Sequence, residues 1–412
     1  MVALFNPFVG VCVYWILEIV RPQYMFAWAG ADGSYSQAVA IATIIGWCGQ
    51  RFGTWRLAGG RAIVLVFLGY TAWVVLSSLS APNSGVAFAF LAEHAKRTIM
   101  FLIAVSLADS QARVQQLTWV IAGSAGFLCL ELNIQYFGGW NQPQLGYGGL
   151  DNNALAIALI TALASAVYLA LYVQPNWQKA LAICAAALIG HTIFLTFSRG
   201  GFLGLLVVAG VALVTMPKRP RYFLGFAIAA FAAYIVTGPE LRERFLSAFA
   251  EQRDYSAQSR LDLWRDTLVV IREHPVFGAG PDHFPLIAAD FGWPAGKEAH
   301  SLWLQLAAEI GLPGIVLLAL FYVLAIRRVW PLVKLAGNED SVAWARTIGC
   351  IVVASLAGFA VSAQFVTLEG LEIPLYIVVL AVGALRASDG MLQTHVPSSP
   401  RNRYVRRHRA PR

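Results

Sequence analysis

Charge is scarce in this sequence. Asp, Glu, Lys and Arg make up 13% of its 412 residues, against roughly 25% in soluble domains. So few charges cannot clothe a water-exposed surface, which excludes a string of soluble domains. Cysteine is sparse too. Cys12, Cys48, Cys129, Cys184 and Cys350 each lie in an apolar run with no CxxC and no paired spacing, so they read as packing residues, and neither a disulfide framework nor a zinc site is implied. Also missing are HExxH, a DxD pair and the nucleophile elbow GxSxG. Gly146 to Gly149 lacks a Walker lysine and reads as a turn. No motif calls for a metal or any other cofactor. There is no basic leader and no small-residue cleavage site ahead of the apolar stretch Phe8 to Val20, which therefore reads as a retained span.

What is present is apolar: 58% of the chain. Runs long enough to cross a bilayer fall near 5–20, 35–50, 61–79, 86–108, 114–133, 153–173, 178–197, 200–216, 221–237, 301–326, 342–366 and 371–386. They predict an all-α, polytopic transmembrane bundle of about twelve spans with one large periplasmic loop containing amphipathic helices. The division is spans one to nine over 1–237, the loop over 238–300, spans ten to twelve over 301–386 and a basic cytoplasmic tail over 387–412.

Basic residues set the orientation. Arg51, Arg56 and Arg61, Arg113, Lys179, Lys218 to Arg221, and Arg327 to Arg346 all fall in connections of one parity, which places both termini in the cytoplasm and the 238–300 loop outside. Of the net charge of +8, +5 comes from the tail, where six arginines from Arg401 to Arg412 face Asp389. That is a topology signal or a lipid-headgroup contact before it is a nucleic-acid patch. The loop holds seven basic residues against ten acids, so it is no general anion sponge. Within it Leu261, Trp264, Leu268 and Ile271 recur at helical spacing, predicting about three turns of amphipathic helix on the membrane surface.

Ionisable groups set against a membrane invite functional readings. Arg199, in the tight turn Ser198-Arg199-Gly200-Gly201, offers five donors that match a phosphate; a snorkelling interfacial arginine explains it equally well. Arg260 stands at the start of the loop helix, where the helix dipole disfavours a cation. An ion pair with Asp262, Asp266 or Glu251 is the plainer account. His300 sits where the loop becomes a membrane helix, whose N-terminus favours the neutral imidazole a general base needs; a capping histidine is the alternative. Glu93, His94, Lys96 and Arg97 crowd the fourth run, as a phosphate grip or as a self-neutralising Glu93–Arg97 pair. Asp151-Asn152-Asn153 reads as an N-cap.

Four segments in order, Leu195-Thr196-Phe197-Ser198-Arg199-Gly200-Gly201, Ser259-Arg260 with Trp264, His274-Pro275-Val276-Phe277-Gly278-Ala279-Gly280, and His300-Ser301 through Glu309 to Gly311–Gly314, resemble the O-antigen ligase and polymerase superfamily. Arg21-Pro22-Gln23-Tyr24 and Asp151-Asn152-Asn153 are similar to its exosortase-associated O-glycosylation ligase branch. The resemblance implies a glycosyltransferase of the bacterial inner membrane. It would move a glycan from an undecaprenyl-diphosphate carrier to a lipid A–core, protein or polysaccharide acceptor on the periplasmic face, for lipopolysaccharide or O-glycan synthesis.

By position, it implies Arg199 and Arg260 on the diphosphate and His300 in catalysis. Lys96, Arg97, Arg265, Asp151 and Glu309 are further candidates for substrate binding. Inversion at C1, with arginines in place of a metal, is the expected chemistry. A polymerase using the same donor, or a transporter of lipid-linked glycans, would carry a similar plan. Membrane lipids are implied as partners and nucleic acid is not.

Overall fold

The computed structural model describes residues 2–26, 29, 34–173, 175–216, 218–236, 255–337, 339–368 and 370–391. The first part of the expected loop, 238–254, and the tail from residue 392 lie outside these. The described residues are helical, apart from turns and one antiparallel bridge between Tyr147 and Leu150. The longer helices begin with α1 (Pro7–Val20), α2 (Tyr35–Gly49), α3 (Arg61–Ser80), α4 (Ser84–Leu107), α5 (Gln111–Phe137) and α6 (Asn152–Tyr172). They continue with α7 (Asn176–Leu195), α8 (Arg199–Thr215), α9 (Pro220–Val236), α10 (Tyr255–Glu273), α11 (Leu302–Val333), α12 (Asp340–Ser362) and α13 (Ile373–Ala387). Side chains that the sequence places just ahead of apolar runs open many of them. Asn6, Asn83, Ser110, Asp151, Ser198 and Ser301 each accept a backbone N–H from the first turn of their helix.

The protein is an all-α, multi-pass membrane protein, but among the described residues the expected count of about twelve spans is not met. Among the described residues six helices are long and apolar enough to cross: Ala58–Ser80, which includes α3, then α5, α6, α7, α11, and Asp340–Phe365, which includes α12. Two more, α8 and α13, are apolar but shorter. Length and charge decide the difference. α1 and α2 have 14 and 15 residues, which at 1.5 Å per residue reach about 22 Å, short of a hydrocarbon core about 30 Å thick. α4 has 24 residues but carries Glu93, Lys96 and Arg97 mid-helix. Outward faces of the spans present Leu65, Leu68 and Leu76 on α3 and Val316, Leu320 and Val323 on α11, all exposed in the isolated chain and suited to lipid.

α6 is the central helix, and its buried run from Ala154 to Ala166 is built largely of alanine, leucine and isoleucine. It packs on α7 and α12. α8 crosses α12 through small residues: a Cβ on Gly204 would strike Ser362, and one on Gly358 would come within 2.7 Å of Val208. Such close approach lets helices associate where lipid supplies no hydrophobic drive. α11 packs on α3 and α12 and breaks at Gly311, whose φ of 75° is open to glycine.

The helix expected on the membrane surface differs in length and face. α10 runs for 19 residues and packs against α11. It buries Leu263, Thr267, Val270 and Ile271 while Leu268 is exposed. With Phe284, Ala288, Ala299, Ala307 and Ala308 the buried apolar residues form a second, smaller core. The segment 255–300 is thus a folded cap on the start of α11.

Candidate functional site

Three helix starts are tied to one another. At α6, Asp151 Oδ1 accepts from Ala154 N at 2.7 Å, as its sequence suggests. The next two asparagines reach the start of α8: Asn152 Nδ2 donates to Thr196 O at 2.9 Å, and Asn153 Oδ1 accepts from Ser198 Oγ at 2.8 Å. Ser198 in turn accepts from Gly201 N at 3.0 Å. The tight turn therefore lies at Thr196–Ser198, and Arg199-Gly200-Gly201 form the first turn of α8. Ser362 at the end of α12 donates to Gly200 O at 3.2 Å. Just beyond it, Val366 O accepts from Leu302 N at 2.9 Å, which links α12 to the start of α11. The residues preceding the Ser198 and Ser301 caps, Phe197 and His300, are both left-handed, with φ of 56° and 50°. Non-glycine residues adopt that conformation at a cost, and such positions cluster at functional sites.

The charged side chains of these starts interact. Arg260 on α10 is half-buried, and burial lowers its pKa, reinforced by the nearby Arg199 guanidinium and opposed by Asp151. His300 is held down to about 4, first by burial, then by Lys297 and Arg260, again with Asp151 opposing. Burial raises the Glu298 pKa, reinforced by Asp151 and Asp282 and opposed by Lys297. Arg199, Arg260, His300 and Asp151, named from separate parts of the sequence, thus share one site. Lys297 and Glu298 join them, and sequence reading passed over both. Lys297 Nζ lies 3.1 Å from His300 Nε2. The signal was a basic residue three positions before the histidine in a loop, which no helical period picks out.

The remaining candidates lie elsewhere or act differently. Arg265 pairs with Asp262 at 3.2 Å on an exposed face. Lys96 pairs with Glu93 at 2.6 Å, and Arg97 Nε donates to Glu93 O at 3.3 Å, so the Glu93 carboxylate serves Lys96. The Arg97 guanidinium stands close to Gly370. Glu309 is fully buried. Its carboxylate accepts from Asp282 N at 3.0 Å, Phe284 N at 3.2 Å and Gln305 Nε2 at 3.1 Å.

Glu309 belongs to a clasp that holds the cap onto α11. Gly278, at φ 72°, lies against the Glu309 backbone, where a Cβ would collide with it. Ala279 N donates to Ala308 O at 2.8 Å, and Gly280 N to Glu309 O at 3.0 Å. At the Gly311 break, Leu312 N donates to Pro275 O at 2.9 Å. From α3, Ser77 Oγ donates to Phe277 O at 2.7 Å and Trp73 Nε1 to Ile310 O at 2.9 Å, with Trp73 stacked on Phe277. His283 accepts from Asn83 N at 3.1 Å, tying the same loop to the start of α4. Nearer the site, Gln305 Oε1 accepts from Ala299 N at 2.8 Å and Trp264 Nε1 donates to Ala299 O at 3.1 Å, so the residue before His300 is gripped from both sides.

This arrangement can hold a polyanion. Two guanidiniums act on one another electrostatically, the first backbone N–H groups of α8 lie beside Arg199, and a neutral imidazole stands close by. Residues 184–319, which include Arg199, Arg260, Lys297, His300 and Glu309, match the family described as O-antigen ligase. The chain is 26% identical over 277 residues to the O-antigen ligase of Pseudomonas aeruginosa, covering 66% of each chain. It is 25% identical over 171 residues to an uncharacterised protein of Haemophilus influenzae, covering 38% of this chain and 43% of that one. The chain thus spans just under two thirds of the first relative's length and under half of the second's. The ordered motifs of α8, α10 and α11 lie inside the matched region, and over that region the chain is similar to the O-antigen ligase family.

Proposed function

We propose that the protein transfers a glycan from an undecaprenyl-diphosphate carrier to the hydroxyl of an acceptor at the periplasmic face of the inner membrane. The observation that carries this reading is the meeting of Arg199 at the start of α8, Arg260 in the second turn of α10 and neutral His300 at the entry to α11. Arg199 and Arg260 hold the diphosphate. As the bond between the anomeric carbon and the diphosphate oxygen breaks, its electron pair passes to the diphosphate, and the arginines stabilise the charge that develops. The acceptor oxygen attacks from the opposite face, giving inversion, and its proton passes to His300 Nε2. The diphosphate already activates the sugar, so no nucleotide is required, and the arginines take the place a metal would fill. A site facing the periplasm, with both termini in the cytoplasm, belongs to the same proposal. Arg21 to Tyr24 and Asp151 to Asn153 favour the exosortase-associated branch.

The test is incubation of the purified full-length chain in detergent with an undecaprenyl-diphosphate glycan and candidate acceptors, in the presence of EDTA. Appearance of a glycosylated acceptor is expected, with loss of transfer in Arg199→Ala, Arg260→Ala and His300→Ala. Unchanged transfer in all three variants would overturn the assignment, and loss on chelation would overturn the arginine-only chemistry. A product that lengthens on its carrier would mark a polymerase instead.

A further inference from the structure

The transfer reading leaves the contact between Lys297 and His300 unused. An ammonium has three donors and no acceptor, so in the 3.1 Å contact Lys297 Nζ donates and His300 Nε2 accepts. The imidazole proton then resides on Nδ1, and the lone pair a base would use is already engaged. The Lys297 backbone is pinned: Lys297 N donates to Pro294 O at 3.1 Å and Gly296 N to Pro285 O at 3.1 Å. Its side chain is half-buried and has a flexible four-carbon stem, so the ammonium can move while the loop stays. His300 also feels Arg260, so the ammonium and the guanidinium both act on the same ring. A phosphate oxygen makes a stronger, charge-assisted partner for an ammonium than a neutral ring nitrogen does.

We propose that Lys297 is a positioning residue that occupies the His300 Nε2 lone pair while the site is empty and leaves it for a diphosphate held by Arg199 and Arg260. The base is thereby exposed only after the donor is seated, and the acceptor hydroxyl is activated second. The purpose of this device rests on the transfer reading, but its operation can be followed without any glycan.

Diethylpyrocarbonate acylates the unprotonated imidazole nitrogen, and mass spectrometry of the His300 peptide gives its rate, with exposed His274 as internal standard. In the full chain near pH 7, His300 of the wild type should react slowly, and about tenfold faster in Lys297→Met. Lys297→Arg, which still offers donors, should stay slow. Inorganic pyrophosphate should accelerate the wild type and leave Lys297→Met unchanged. Equal rates in wild type and Lys297→Met, or pyrophosphate that slows or fails to change the wild-type rate, would overturn the proposal. The pyrophosphate comparison needs no variant, so it stands even if Lys297→Met does not fold. Failure here leaves glycan transfer untouched, whereas absent transfer with the cap intact would count against the transferase assignment alone.

Discussion

At the residue scale the site depends on guanidinium geometry and on one histidine kept neutral. Arg199→Lys keeps the charge but loses the planar fork, so transfer should fall well below wild type while staying above Arg199→Ala, for which a loss of about 10²–10³-fold is expected. For His300, the value near 4 means the ring stays unprotonated where a free histidine would gain its charge. The acid limb of kcat/KM for the donor, which reports the empty site, should therefore fall near pH 4 and not near 6.5, as a pH–rate profile would show. Stability has a definite sign. Between about 4 and 6.5 the unfolded histidine binds a proton that the folded one refuses, so its contribution is complete above that window and declines as pH falls through it. Replacing it with glutamine should flatten the change in melting temperature between pH 5 and 7. Arg199, Arg260 and His300 were legible because each breaks an expectation for its place, a cation or a base at a membrane boundary. Lys297 breaks none, since a lysine in a polar loop is ordinary and its partner is set by the left-handed turn at His300.

At the element scale the cap segment and the small-residue crossing fix where those side chains sit. Glu309→Ala would leave two backbone N–H groups of the 282–284 turn without their acceptor, a cost of about 2–4 kcal/mol. Loosening of that turn should appear as faster hydrogen exchange at Asp282 and Phe284, with the donor arginines still present. Gly204→Leu should drive α8 from α12 and carry Arg199 with it, abolishing transfer and lowering thermal stability in detergent. The apolar runs and the capping residues were readable, because both are local properties. The buried face of α10 was not. Its helical period admits the stripe through Leu261, Trp264, Leu268 and Ile271 as readily as one through Leu263, Thr267 and Val270, and contact with α11 selects the second together with Ile271 of the first. The number of spans was misread for a related reason: apolarity marks a helix, while its length and the charges along it decide whether it crosses.

At the scale of the whole molecule, distant parts of the chain converge. The first turn of α8 and the entry to α11 are tied to the start of α6, the end of α12 and the residues just past it, which supply asparagines, a serine and a backbone carbonyl, and α10 joins them by packing on α11. The helices α6, α8 and α11 therefore begin around the charged cluster, and their dipoles add to the fields of Arg199, Arg260 and Lys297. The carrier diphosphate left after transfer has one more ionisable oxygen than the donor's, so such a site attracts it at least as strongly. The spent carrier should hold on tightly, so turnover would be governed by its escape, with a burst of glycosylated acceptor in the first cycle and a slower steady rate afterwards. Whatever draws the spent carrier out of the membrane would then set the pace of the enzyme.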